Sequence, residues 1–169
     1  MFERFPMLKR LFGFSAIALI LAGCAVVDKV PLGMLRDEVI KTYGSPTQTI
    51  NLSNDGVRLQ YSFQPMGRRV VMVDVDAAGR VASVRQVLTE NEFSRIEVGK
   101  WSRNDVEREF GRPGEITHVG NWQGDIMTYR WRDRAGTDMF YWVYLDSNQV
   151  AQQVGQGMEF RDNFMRNDR

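Results

Sequence analysis

Few side chains in this sequence are equipped for covalent or metal chemistry, and they are scattered. Cys24 is the only cysteine and His118 the only histidine among 169 residues. A nucleophilic site needs a thiol or hydroxyl beside a base, and a transition-metal site needs several His or Cys ligands in concert. One of each, far apart in the chain, assembles neither. Asp74 and Asp76 are two apart, so on a strand they point to one sheet face. Such a pair can hold a cation or do acid chemistry, but ahead of Ala78-Gly79 it reads more simply as a solvated turn. No phosphate loop, nucleophile elbow or dinucleotide fingerprint is present. The expectation is a protein that is not an enzyme, with no catalytic residue, no metal and no cofactor beyond a covalent lipid.

The richer signal is aromatic. All four tryptophans, Trp101, Trp122, Trp131 and Trp142, fall in the second half of the chain. In the stretch from Met139 to Leu145, Tyr141, Val143 and Leu145 alternate with Phe140, Trp142 and Tyr144. The first set aligns with Val71, Val73 and Val75 and is assigned to the core. The second set then lies on the opposite face, with Trp122, Arg130 and Arg132 framing it. Aromatics in a row on an open sheet face are protein-binding chemistry. The same residues are ordinary core if both faces are covered.

Cys24 has a different use. Arg4, Lys9 and Arg10 precede an apolar run from Leu11 to Leu21, which ends in Leu21-Ala22-Gly23-Cys24. A run of about 11 residues is too short to span a bilayer and suits a signal-peptide core. The tetrapeptide resembles the bacterial lipobox, in which the cysteine is lipidated and the peptide is cut before it. An ordinary signal peptide with an incidental cysteine, or a short anchor helix, are the competing readings. Ala25 follows the cysteine, where an Asp would signal inner-membrane retention. By that resemblance the destination is the periplasmic face of the outer membrane, with the bilayer as one partner through the Cys24 anchor.

Removing residues 1–23 leaves about 146 residues and a formal charge near −1 instead of +1. That balance gives no electrostatic footprint for nucleic acid. The acylated thiol is unavailable for a disulfide, so the fold must rest on core packing.

What would position the aromatic row is a repeat, about 67 residues in period. Gly33 to Pro46 carries Val39, Tyr43, Gly44 and Pro46, and Gly99 to Pro113 carries Val106, Phe110, Gly111 and Pro113 in the same order. Each stretch reads as a short amphipathic helix, with Leu35, Val39 and Tyr43 on one face of the first. Ser102 is the expected N-cap of the second, with Asp105 three residues on. Gly44 and Gly111 occupy the place of a left-handed C-terminal residue, and the prolines prevent continuation. Strands follow in each copy: Thr47–Leu52, a run around Leu59 to Phe63, Val71–Val75 and Val81–Leu88, then Ile116–Val119, Tyr129–Trp131, Met139–Leu145 and Val150–Val154. Asn91 to Ile96 reads as a short helix between the copies. The expected class is α+β: two tandem modules, each a helix plus an antiparallel meander, with the helices packed on one sheet face. The expected boundaries are 1–23 for the signal peptide, 24–88 and 89–158 for the modules, and 159–169 for a polar tail.

The pattern Gly-Met-x-x-x-x-Val-x-x-x-x-Gly-x-Pro at Gly33 to Pro46, behind a lipobox, resembles the BamE (SmpA/OmlA) lipoprotein family. The tandem arrangement also looks like the two-module architecture of the β-lactamase inhibitor protein. The first resemblance implies an outer-membrane lipoprotein that acts as an adaptor or stabiliser in β-barrel outer-membrane protein assembly, with the β-barrel assembly machine as partner. The second implies an inhibitor-like module against a periplasmic or secreted enzyme, with Asp125 as the acid that would enter a target site. A lipid or ligand carrier is a third reading, and needs an enclosed apolar cavity.

Overall fold

The computed structural model describes residues 27–160, so the signal segment, Cys24 and residues 161–169 lie outside the described residues. A short 3-10 turn at Val27–Lys29 leads into α1 (Arg36–Tyr43) and four strands, β1 (Gln48–Asn51), β2 (Val57–Ser62), β3 (Val70–Val75) and β4 (Val81–Gln86). Then come α2 (Glu90–Phe93), α3 (Arg103–Phe110) and β5 (Glu115–Thr117), β6 (Ile126–Arg132), β7 (Asp138–Leu145) and β8 (Ala151–Met158). Strands pair antiparallel in sequence order, as two separate sheets, β1 to β4 and β5 to β8.

This corrects the expected fold class. Of the described residues 39% are in strands and only 17% in helices, so the fold is two four-stranded sheets with small helices, not modules in which helices are packed over a sheet face. The reason is length. An eight-residue helix is about 12 Å long, and α1 buries one residue, Val39, while α3 buries Val106 and Phe110. Each sheet face is covered by several short elements together. Leu59, Tyr61, Val71, Val73 and Val75 form one cluster with Val27, Val30 and Val39. Val70 and Met72, on the other face of β3, join Phe93, Val106, Phe110, Met127, Tyr129, Trp131, Tyr141, Val143 and Leu145 in a second. The first sheet is therefore buried on both faces at its centre, and its second face belongs to the core of the other half.

The repeat is written in hydrogen bonds. Tyr61 donates its hydroxyl to the Gly44 carbonyl at 3.0 Å, and Tyr129 does the same to Gly111 at 2.8 Å. Each tyrosine thereby fixes the end of its helix onto the second strand of its sheet. Burial pushes both phenol pKa values up, most for Tyr129. Gly44 (φ 86°, ψ 175°) and Gly111 (φ 76°, ψ −178°) have positive φ with extended ψ. That is a glycine-only region rather than the left-handed helical cap expected. Ser102 accepts from the Asp105 amide as an N-cap, and Asp105 returns the bond to the Ser102 amide. Leu35 has no capping oxygen, and its amide is met by Glu38 alone.

The two sheets are joined through polar side chains. Gln60, fully buried, donates from Nε2 to the carbonyls of Glu107 (3.1 Å) and Arg108 (3.0 Å) at the end of α3. Arg58 lies beside it, donating to Arg108 O at 3.3 Å and paired with Asp74 at 2.6 Å and Glu109 at 3.0 Å. Burial on its own lowers the Arg58 pKa; Asp74 and Glu109 outweigh it and the net shift is upward. Helix-terminal carbonyls need partners from outside the helix; the Gly111 amide meets Glu107 O at 2.8 Å, Gln60 adds a second bond there, and Gln60 and Arg58 together supply Arg108 O.

Gln60→Met keeps the volume and removes both donors. A loss of about 1–3 kcal/mol is expected in urea unfolding, against less than about 0.5 kcal/mol for Gln153→Met on the surface. Equal effects would show that the seam is not held by these bonds.

Candidate functional site

The alternation of β7 sorts its side chains as the spacing demands. Tyr141, Val143 and Leu145 are buried, and Phe140, Trp142 and Tyr144 are half-buried on the other face. The four tryptophans divide accordingly. Trp131 is buried against Phe93 in an edge-on contact at 5.6 Å, and Trp101 packs on Phe110. Trp122 and Trp142 stand on the outer side, Trp122 edge-on to Tyr144 at 5.3 Å and Trp142 beside Phe140 at 6.0 Å. Trp122 is fixed by its indole N–H, which donates to Leu145 O at 2.6 Å.

What seats Trp142 is a pair of glycines. Register places Trp142 opposite Gly155 and Phe140 opposite Gly157. A Cβ on Gly157 would lie 2.9 Å from Trp142 Cη2, and one on Gly155 would be 3.7 Å from Cε3. The indole thus lies flat across β8, which has no side chains there to obstruct it. The sequence Gly155-Gln156-Gly157 carried that signal, since alternate glycines in a strand mark close approach on one face.

Arg130 faces Phe140 across the ladder. Its guanidinium pairs with Glu159 and donates to Pro65 O at 2.8 Å. Glu159, 7% exposed, also takes Arg68 at 2.7 Å, and Asp138 takes Arg68 at 3.0 Å and Arg132 at 2.9 Å. Gln64 completes the join, pairing its amide with Arg130 O at 2.5 Å and Arg130 N at 3.1 Å, where β5 no longer covers β6. The β2–β3 loop of the first half therefore forms one rim of the second sheet's outer face. A cleft of about 450 Å³ lies along this rim, lined by Pro65, Gly114, Glu115, Thr128, Arg130 and Phe140. Of the sequence-selected residues, Phe140, Trp142, Tyr144, Trp122 and Arg130 come together here, while Arg132 stands at the end of the strand, half exposed. Gln64, Arg68 and Glu159 had no local sequence signal, because their partners across this join are 29 to 91 residues distant.

The other candidates do not converge. His118 is exposed and pairs with Asp125 at 2.8 Å. Asp125 also binds Arg103 at 3.2 Å, and at 14% exposure it does not project as an inserting acid. Asp74 is engaged by Arg58 and Ser83, whereas Asp76 closes the turn by accepting from Arg80 N. Among the described residues no group of three or more His, Cys, Asp and Glu is placed to hold a metal. No helix of the described residues is long and apolar enough to cross a membrane.

Glu159 has its carboxyl pKa held below the usual 4.5, chiefly by the hydrogen bond from Arg130 and then by Arg68. A depressed carboxylate stabilises the fold above its unfolded pKa and loses that effect as pH falls through the folded one. The stability gap between the wild-type chain and Glu159→Gln should be full at pH 6–7 and shrink as pH falls below about 4.5. A gap independent of pH would disprove the pairing. Gly157→Val should lift the Trp142 ring from β8. A red-shifted tryptophan emission is expected, absent when the change is made in a Trp142→Phe background.

No family model and no curated protein matches the chain. Among solved structures, a DUF4309 family protein (YjgB) from Bacillus subtilis is similar at a TM-score of 0.32 and 14% identity, over 74% of this chain and 78% of that one. A likeness that loose carries no argument.

Proposed function

We propose that the protein is a lipid-anchored, non-enzymatic adaptor or stabiliser in outer-membrane assembly, and that it binds a protein partner through the outer face of its second sheet. The observation that carries the reading is the aromatic row itself: Phe140, Trp142, Tyr144 and Trp122 share the face opposite the core, held in fixed orientations and only partly buried. Large rings that are already ordered lose little entropy on binding, which suits them as anchors. Arg130, fixed by Glu159 and Pro65, supplies a charged rim. The lipobox-like Leu21-Ala22-Gly23-Cys24 supports the anchor, and Ala25 supports the outer membrane as its destination. The β-barrel assembly machine is the proposed partner, on the resemblance of Gly33 to Pro46 to the BamE family.

The test is crosslinking of the full chain in cells, followed by mass spectrometry of what is recovered. Recovery of β-barrel assembly components is expected. Phe140→Ala should reduce that recovery about tenfold, the scale of one interface anchor, with little change in melting temperature. Cys24→Ser should move the protein from the membrane to the soluble fraction. A single hydrolase as the only adduct would replace the adaptor reading with the inhibitor-like one.

A further inference from the structure

Four strands lie at sheet edges, and three of them are blunted. β1 and β5 are only four and three residues long. β4 carries Arg85, and the Val27–Lys29 turn packs along it. These are common protections against unwanted strand pairing. β8 has none of them beyond its first residues, where Gly99 and Trp101 pair with Ala151. It runs eight residues, Ala151–Met158, with the sequence Ala-Gln-Gln-Val-Gly-Gln-Gly-Met, lacking both charge and proline.

Its free groups can be assigned. The Glu159 amide donates to Asp138 O, so the 138–159 pair is hydrogen-bonded. In an antiparallel ladder such pairs alternate with unbonded ones. Gly157 and Gly155 therefore bond to β7, while Val154, Gln156 and Met158 turn their N–H and C=O groups away from it. At the start of the strand, Gly99 and Trp101 pair with Ala151. Beyond that, among the described residues, no backbone or side-chain hydrogen bond outside the sheet reaches Val154, Gln156 or Met158. Exposed apolar side chains gather at the same end, with Met158 at 59% and Phe160 at 82%. On the outer face, the Trp142 ring lies over Gly155 and Gly157 of this edge strand.

We infer that β8 is a docking edge for an extended segment of the partner protein, which adds to the second sheet as a further strand. Unpaired N–H and C=O groups at strand spacing are matched by one chemistry, another extended backbone. The segment is uncharged, as β8 is. It carries bulky apolar residues on both faces, one lying beside Trp142 and others, at odd spacing from it, beside Val154 and Met158. The inference rests on the adaptor reading and specifies how the partner is held.

The experiment places a photoreactive phenylalanine at Gln156 or at Phe140 of the full lipidated chain in cells. The crosslinked partner segment is then identified, made as a synthetic peptide and added to the purified protein for amide exchange. Adducts at Gln156 are expected to fall in one uncharged extended segment. That peptide should slow exchange at Val154, Gln156 and Met158 at least tenfold, with Gly155 and Gly157 unchanged. Gln156→Pro removes an outward donor without costing a bond to β7, and Gln156→Lys adds an edge charge with no backbone change; both should abolish the protection. Adducts at Phe140 alone, or a bound peptide that leaves those three amides unprotected, overturn the edge inference and leave the adaptor reading standing. A Gln156 adduct with a second copy of this chain overturns it in favour of a dimer. No adduct at either position sinks both.

Discussion

Gln60 and Arg58 sit on a sheet face that is otherwise packed with Val70 and Met72, and a polar side chain there is costly unless its donors are met. The end of α3 has the opposite problem, since the Gly111 amide caps Glu107 O but the Arg108 carbonyl has no partner inside the helix. Each solves the other through the bonds from Gln60 and Arg58 to Glu107 and Arg108. Nearly everything else is constrained by that meeting. It brings Gly111 against Val70, where even a Cβ would stand 3.3 Å from the valine methyl, so only glycine closes the gap without strain. It also carries the β2–β3 loop to the rim of the second sheet, where Gln64 and Arg68 find Arg130, Glu159 and Asp138. The proposed binding face is thus composite, with strands from one half and a rim from the other.

The two sheets share a skeleton and differ in what lies on their outer faces. Val70, Met72 and Asp74 of β3 correspond to Phe140, Trp142 and Tyr144 of β7 by their place relative to Tyr61 and Tyr129. The first set is compact because α3 and its neighbours lie directly against it. Among the described residues the second has no such layer, and it partly covers itself: Trp142 folds over the glycines of β8, and Trp122 closes on Tyr144. The sequence difference between the copies is therefore a difference in what each face meets, not in how each sheet is made.

Local pattern carried far in this chain, and long-range pairing did not. The strand positions, the Ser102 cap, the Gly44 and Gly111 helix ends and the inward set Tyr141, Val143 and Leu145 all followed from period, turn residues and spacing within a few positions. β8 was read as ending at Val154 and runs to Met158, because glutamine and glycine are weak strand formers and the strand gains its order from pairing with β7. The helices carry less of the fold than their motifs suggest. A visible helix motif says that a helix forms, but its eight residues set how little of a sheet it can cover. Nor could the seam be read, since Gln60 looks like any exposed strand residue until the Glu107 and Arg108 carbonyls are brought to it.

Trp142 links the face to the edge. An indole seated on side chains would adjust when a partner arrived, and its contact area would carry the cost of reordering. Seated on backbone, over Gly155 and Gly157, it is fixed before anything binds and lies across β8, the strand with the open side. A strand added at that side would meet two things at once, the outward amides of Val154, Gln156 and Met158 and a ready-made aromatic wall. The amides alone would accept any extended chain. The wall requires a bulky apolar side chain at one register position, and so it converts a general affinity for strands into a preference among them.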